Sequence, residues 1–593
     1  MPEYQAPLKD MTFAINELAD INLLNGLPGF EDATPDMVGA ILEQAAVLAN
    51  EVFSPLNHPG DEHGAFIEDG LVVIPPGFAD AYRQFSENGW QGLSQSPDYD
   101  GQGMPYLVQS AVSEMWVSSN MSLALCPLLT SGAIEALFAH ASEALKQTYL
   151  AKMVSAEWSG TMNLTEPQAG SDLSAVRTKA VPDGDHYRIT GQKIFITWGA
   201  HEMAKNIVHL VLARLPDAPE GIKGISLFLV PKYLLDSEGN VGEHNDLKVV
   251  SLESKMGIHA CPTCVMSYGD QGGALGYLVG EPHNGLACMF TMMNHARLEV
   301  GIQGVGLCER AYQHALAFAQ ERVQGSIAGQ EGRVTIIHHA DVRRMLMQMR
   351  ALSESTRALS YVAASAYDQA RRSLGNEAGQ RAQRRIDLLT PVAKGWCTEI
   401  AQEVTYLGVQ VHGGMGFIEE TGAAQYMRDA RIVTIYEGTT GIQAMDLVGR
   451  KILRDQGQAI GELIAEMKLF KADLDAQGDE FKSMQARFTS ALEALETTTL
   501  WYLEQVSSDP DLPGSIAVNY MMLVGYVVTG WLMAKSAVAA KRIIDRGSND
   551  IFYRNKISTA TFFCEHIVPR AEGLKSTVLS GSVSTMSIDI ESF

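Results

Sequence analysis

The stretch Met162–Thr178, MNLTEPQAGSDLSAVRT, gathers hydroxyls, small residues and a single Glu-Pro step. Thr165-Glu166-Pro167 and Gly170-Ser171-Asp172 describe a loop that exposes backbone N–H groups. Such groups, together with hydroxyls, hold the polar edge of a flat cofactor or a phosphate without a net positive protein. Gly-Ser-Asp is equally ordinary turn chemistry, so this loop alone decides nothing. A second stretch, Gln410-Val411-His412-Gly413-Gly414-Met415-Gly416-Phe417, is followed by Tyr436-Glu437-Gly438-Thr439-Thr440-Gly441. Glycines around one carboxylate let a flat substrate approach the backbone closely. By itself Glu437 also reads as a solvated acid at a helix start.

Other reactive residue types lack companions. Cys261-Pro262-Thr263-Cys264 has no second pair at ligand spacing, and His338-His339 has no third ligand at helical spacing. No metal site is expected; the first reads as the approach to a strand, the second as solvated or hydrogen-bonding histidines. A net charge of −24 argues against nucleic acid as a partner. It leaves room for a small anionic ligand, which local N–H groups and a few arginines can hold. Seven cysteines, an odd and sparse set, fit a reducing compartment. MPEYQAPLKDMTFAINEL shows neither a secretory nor a transit pattern, so a cytoplasmic location is expected. Leu512–Ala534 carries no charge and is long enough to span a bilayer, but Pro513, Asn519 and three glycines lower its hydrophobicity. It is read as a buried bundle helix, with no integral membrane association.

The elements that must position these residues follow from periodicity. Over 593 residues the chain is long enough for several cores. An irregular leader is expected over 1–36, closing on Thr34-Pro35 as N-cap and first helical residue. An N-terminal helical domain follows over 37–156: Ile41, Ala45, Leu48 and Val52 share a face, and further helices are expected at about 77–90, 105–120, 130–139 and 142–154. A middle β domain is expected over 157–285, with runs such as Ile207–Leu212, Ile225–Val230 and Cys264–Tyr268. Its clearest hairpin reads as Tyr187–Thr190, a Gly191-Gln192 turn, then Lys193–Thr197. A helical bundle occupies 286–450. After Arg450 the apolar spacing restarts with Ile460, Leu463, Ile464, Met467 and Leu474, so 451–593 is read as an additional helical domain. The fold class is therefore mainly α with an inserted β domain.

From about residue 37 to 450 the sequence resembles the acyl-CoA dehydrogenase family. Four segments in matching order carry the likeness: Leu164-Thr165-Glu166-Pro167 with Ala169-Gly170-Ser171-Asp172, Gly191–Thr197, Met427-Arg428-Asp429-Ala430, and Ile435-Tyr436-Glu437-Gly438-Thr439. The resemblance implies a helical domain, a β-barrel or sandwich domain and a helical bundle, with FAD between the β domain and the bundle. It assigns the flavin ring to the backbone of Met162 and Leu164, the Thr165 side chain, the Gly170-Ser171 turn, and strand residues Phe195 and Thr197. Phe195 stands where many members carry Trp. Arg322, Gln410 and Gly414 would hold the pyrophosphate and adenosine across a subunit boundary, with Thr439 near the cofactor. Here Arg322-Val323-Gln324-Gly325 departs from the usual Arg-x-Thr-Phe-Gly, so the adjoining hydroxyl contact is missing from the pattern.

By the same likeness Glu437 is the base. A thioester α-proton is weakly acidic, and its removal needs a carboxylate in a closed pocket with donors to the thioester oxygen, among them the Glu437 backbone N–H. Some members carry the base at the position of Ala296, which cannot act, and Glu299 lies on another face of that helix. Ser171, Asn294, Arg297, Tyr436 and Gly438 match substrate-contacting positions. The extension after Arg450, the start PEYQAPLKDM and Glu166-Pro167-Gln168-Ala169-Gly170 look most like a bacterial group whose substrates include 3-methylmercaptopropionyl-CoA. The expected reaction is FAD-dependent oxidation of a fatty or thioether acyl-CoA to the trans-2-enoyl-CoA, with an electron-transfer flavoprotein as acceptor and a homodimer as the assembly. The competing readings are an acyl-CoA oxidase and a catalytically idle scaffold or membrane-associated assembly protein.

Overall fold

The computed structural model describes residues 3–373 and 375–593, and the chain divides into two units. One comprises Met1–Glu43, Pro105–Glu114 and Val300–Phe593, the other Gln44–Met104 and Met115–Glu299. Met1 and Pro2, the first residues of the expected leader, lie outside the described residues. The rest of that stretch is not irregular as expected. Helix Leu8–Phe13 continues through a π-helical turn, Ala14–Leu18, and helix Ile21–Asn25 follows, with the Asp20 carboxylate accepting from the Leu23 N–H at 3.1 Å. Met11, Ala14, Ile15 and Leu18 are all buried. Burial of that face holds helices too short to persist alone.

In the unit holding 115–299, β1 (Phe66–Glu68) and β2 (Leu71–Val73) form a small hairpin. The main sheet uses β3 (Trp158–Asn163), β4 (Lys179–Asp183), β5 (His186–Thr197), β6 (Asn206–Arg214) and β7 (Ile225–Pro231). A second small hairpin, β8 (Tyr233–Leu235) with β9 (Val241–His244), precedes β10 (Leu247–Leu252), β11 (Thr263–Tyr268) and β12 (Ala274–Val279). The order is β10-β11-β5-β12-β7-β6-β3, with β3 parallel to β6. Strand β4 pairs with β5 and meets β6 at Lys179 and Arg214, so the pairings β4-β5-β12-β7-β6 close on themselves. Every residue of β7, and every residue of β6 except Arg214, is buried. That is why both read as continuous apolar runs rather than alternating ones.

The hairpin expected at Gly191-Gln192 does not form. β5 passes through those residues as one 12-residue strand, pairing with β4 and β12 along its first half and with β11 along its second. The tight turn is Gly184-Asp185, with Asp183 opposite His186 and Gly184 at φ 68°. Gly191 answers a different demand: a Cβ there would lie 2.5 Å from Thr178 Oγ1. Glycine in a strand marks a close approach as readily as a turn.

In the other unit, helices Ala340–Arg372 and Glu377–His412 pack together, and Leu512–Asp545 lies against both. The approach is close enough that a Cβ on Gly525 would fall 2.2 Å from the Trp396 ring. Among the described residues two helices, Tyr106–His140 and Leu512–Asp545, are long and apolar enough to cross a membrane, yet 89% and 83% of their most apolar windows are buried inside the protein. The uncharged segment is thus a core helix, as expected. Tyr106–His140 joins the two helices expected at about 105–120 and 130–139, with a kink at Asn120 (φ −159°, ψ 90°). Buried charges tie distant segments together. Arg357 reaches Asp10 at 2.5 Å, Glu114 at 2.5 Å and Glu309 at 2.8 Å, while Lys556 reaches Asp10 at 2.6 Å and Glu354 at 2.8 Å. Burial pushes the Glu114 carboxyl above its ordinary range despite Arg357. Breaking one such pair by removing a partner costs about 3–5 kcal/mol, so the N-terminal segment and residues 451–593 are bound into this unit.

Candidate active site

Lys193, on β5, is fully buried. Its Nζ donates to the Leu164 carbonyl at 2.9 Å and to Glu166 Oε1 at 2.8 Å. Glu166 also accepts from Thr178 Oγ1 at 2.6 Å and from the N–H groups of Arg177 and Thr178 at 2.7 and 3.0 Å. Burial opposes ionisation of Glu166, but the ammonium and these hydrogen bonds outweigh it and bring the carboxyl down to about 2. For Lys193 burial wins over the attraction of the carboxylate and pulls the ammonium down to about 8. The Ile194 N–H donates to the Thr165 carbonyl at 3.0 Å, and Thr161 Oγ1 to the Thr197 carbonyl at 2.8 Å. Met162, Leu164, Thr165, Phe195 and Thr197 are therefore brought together by β3, the loop after it and β5. The Glu166–Lys193 pair that braces them was not singled out from sequence, although Thr165-Glu166-Pro167 lay within the segment that was.

Phe195 is the most conspicuous member. The residue is 58% exposed on a backbone with φ 60°, a conformation bulky residues rarely adopt. Gly170 and Ser171 lie exposed beyond the Glu166–Ala169 bridge. Asn294 is exposed and accepts from Arg297 Nη1 at 3.3 Å, while Arg297 itself is buried.

The other unit carries the remaining expected residues in two groups. Arg322 follows the last residue of helix Gly285–Glu321 and is exposed. Gln410 and Gly414 lie, also exposed, where helix Glu377–His412 ends, the Gly413 N–H closing on the Gln410 carbonyl. The His412 ring stacks on Phe318, centroids 4.4 Å apart, which holds these two helix ends together and brings Arg322 into the neighbourhood of Gln410 and Gly414. In the second group, Tyr436-Glu437-Gly438-Thr439 connects helices Ala423–Val433 and Thr440–Met445. Glu437 has φ 56° and Gly438 φ 90°. Thr439 caps the next helix by accepting from the Ile442 N–H at 3.2 Å, and the Tyr436 hydroxyl donates to Gln303.

Two residues missed from sequence hold this connection. Lys394, fully buried, donates its Nζ to the carbonyls of Val433 at 2.9 Å and Gly438 at 2.7 Å. Gln443 Nε2 donates to the carbonyls of Glu437 at 3.1 Å and Gly438 at 3.2 Å. The available signal was a lysine set among apolar helical residues, Val392-Ala393-Lys394-Gly395-Trp396.

Family models match almost the whole chain: acyl-CoA dehydrogenase N-terminal domain over 40–157, middle domain over 161–270 and C-terminal domain over 283–453, then an acetyl-CoA dehydrogenase C-terminal-like domain over 462–589. The chain belongs to the acyl-CoA dehydrogenase family. The 3-methylmercaptopropionyl-CoA dehydrogenase of Ruegeria pomeroyi is 46% identical over 590 residues, covering 99% of this chain and 100% of that protein. A butyryl-CoA dehydrogenase of Syntrophomonas wolfei is 34% identical, covering 100% and 99%. In fold, the chain resembles the solved acyl-CoA dehydrogenase of Bacillus anthracis in complex with FAD, with a TM-score of 0.74 and 20% identity, covering 96% of this chain and 91% of that one. As a family member it is an FAD-dependent oxidoreductase. The residues present fit that cofactor. Phe195 offers an exposed aromatic face in a strained, braced position, suited to a flat ring.

Proposed function

We propose that this acyl-CoA dehydrogenase oxidises a short-chain or thioether acyl-CoA such as 3-methylmercaptopropionyl-CoA, with Glu437 as the base. The observation that carries the reading is Glu437 itself, a carboxylate in a left-handed backbone on a braced connection between two helices. Strain of this kind persists only where the surroundings over-determine it, and it clusters at functional sites. Met162, Leu164, Thr165, Gly170, Ser171, Phe195 and Thr197 would hold the flavin, and Arg322, Gln410, Gly414 and Thr439 the rest of FAD. When bound, FAD supplies the acceptor for the β-hydrogen as hydride. Glu437 removes the α-proton, and its backbone N–H donates to the thioester oxygen as charge develops there. Asn294, Arg297, Ser171, Tyr436 and Gly438 would orient the acyl-CoA.

The thioether substrate is favoured because the relative named for it matches over its full length at 46%, against 34% for the butyryl-CoA enzyme. The acceptor we propose is an electron-transfer flavoprotein. We propose a cytoplasmic homodimer: exposed Tyr406, Met415, Phe417 and Ile418 flank Gln410 and Gly414, and an apolar patch of that kind is suited to burial against a second copy. The decisive experiment is anaerobic flavin reduction. Glu437→Gln should bind FAD, while reduction by substrate falls about a thousandfold or more. Reduction near the parent rate would place the base elsewhere. In a panel of graded acyl-CoAs, preference for long chains would overturn the substrate assignment, and stoichiometric oxygen consumption would replace the flavoprotein acceptor with oxygen.

A further inference from the structure

We infer that Lys394, seconded by Gln443, is a positioning residue for the proton-abstracting carboxylate, an assignment that rests on Glu437 being the base. The connection has two ends. Val433 is the last residue of helix Ala423–Val433, and Gly438 follows Glu437 directly. A single ammonium bridges the carbonyls of both, at 2.9 and 2.7 Å, and so fixes the span of the connection. Gln443, one turn into the next helix, also fastens the Glu437 and Gly438 carbonyls, at 3.1 and 3.2 Å. Between these clamps Glu437 and Gly438 take φ 56° and φ 90° in succession. A non-glycine residue leaves that region when its surroundings slacken.

Lysine suits the task because its compact ammonium carries three rotatable donors that can meet two convergent carbonyls, whereas the rigid guanidinium fork is shaped for a planar acceptor. One of those carbonyls ends a helix, where a cation is favoured. Burying an ammonium is costly unless it is well bonded, so its position beneath this connection is not incidental. Lys394 thus sets the direction in which Glu437 leaves the backbone. Positional error of about 1 Å at a reacting group lowers a rate about a hundredfold.

The test uses the full-length FAD-loaded enzyme and rapid-mixing anaerobic reduction by the acyl-CoA that reduces the parent fastest, separating the limiting reduction rate from the substrate dissociation constant. Lys394→Met should lower the limiting rate about a hundredfold, with FAD content and substrate affinity within about threefold of the parent. Lys394→Arg should restore part of that rate. Gln443→Leu should lower it less, by about tenfold, through loss of the second clamp. A parental limiting rate in Lys394→Met overturns the inference. If Lys394→Met does not fold, Gln443→Leu decides: a reduced limiting rate with intact FAD supports the clamp, and a parental rate overturns it. Glu437→Gln run in parallel separates the two claims, since a parental rate there sinks the base assignment whatever the lysine variants do.

Discussion

Two buried lysines brace two loops in this protein, and they do so differently. Lys193 joins a backbone carbonyl to a carboxylate, Glu166, which itself gathers two N–H groups and a hydroxyl. Lys394 joins two backbone carbonyls at the two ends of a connection. The first arrangement makes a stiff cradle whose half-buried Thr165 and exposed Phe195 would meet the flavin. The second acts on the backbone around a carboxylate and controls where that carboxylate points. Each brace also stands close to a non-glycine residue in the left-handed region, Phe195 on β5 at φ 60° and Glu437 on the helix connection at φ 56°. Strain alone therefore does not separate the two regions; on the proposed function, what each brace holds would decide whether the region binds or reacts.

The strongest way to break this contrast is Lys193→Met. It leaves the Glu166 carboxylate, 3% exposed, without its cation. Removing one partner of a buried pair costs about 3–5 kcal/mol. The variant should therefore lose stability and FAD content together, while any flavin-loaded fraction is reduced by substrate at close to the parent rate. That is the inverse of the pattern expected for Lys394→Met. Denaturant unfolding and flavin content after gel filtration report it. Stability within about 1 kcal/mol of the parent would mean that the pair is no brace, and the two loops would no longer differ in kind.

Much of this contrast was legible in the sequence, but unevenly. Glu437 and Thr165 were singled out because each stands in a short run of unusual composition, Phe195 only through the family resemblance, and the β strands because unbroken apolar runs mark strands covered on both faces. Lys394 was not found. Its partners lie 39 and 44 residues away and are backbone carbonyls, which carry no residue type for a sequence to display. Gly191 was misread because a glycine that admits Thr178 and a glycine that turns the chain look alike in one dimension. The N-terminal helices escaped because the π-helical turn at Ala14–Leu18 breaks the regular spacing that would have announced them.

Acid should sharpen the comparison next. The Glu166 carboxyl titrates near 4.5 when unfolded and at about 2 in the fold. Its folded value is depressed, so its contribution is fully present above about 4.5 and is lost as the pH falls from there towards 2. The linked loss is about 2–3 kcal/mol. Urea unfolding across that window should show the decline, and Glu166→Gln, which cannot ionise, should start less stable at pH 7 and lose less over the same range. An equal decline in the variant would assign the acid sensitivity to other carboxylates and leave the cradle without its charge-based stiffness.

The smallest expected effect separates presentation from bracing within the cradle. Thr165 contributes its carbonyl to the brace, accepting from the Ile194 N–H at 3.0 Å, and would offer its hydroxyl to the flavin. Thr165→Val keeps the carbonyl, the β-branching and nearly the volume, and removes only the hydroxyl. One lost hydrogen bond between neutral groups is worth about 0.5–1.5 kcal/mol. The expected result is FAD affinity lower by about two- to tenfold, with unfolding of the flavin-free protein and the limiting rate of flavin reduction both unchanged. Titration of the flavin-free protein with FAD measures the first, and the two controls guard against a structural explanation. If the limiting rate fell as well, the Thr165 hydroxyl would act in the reaction, and binding and chemistry would share this loop rather than being divided between the two lysine-braced regions.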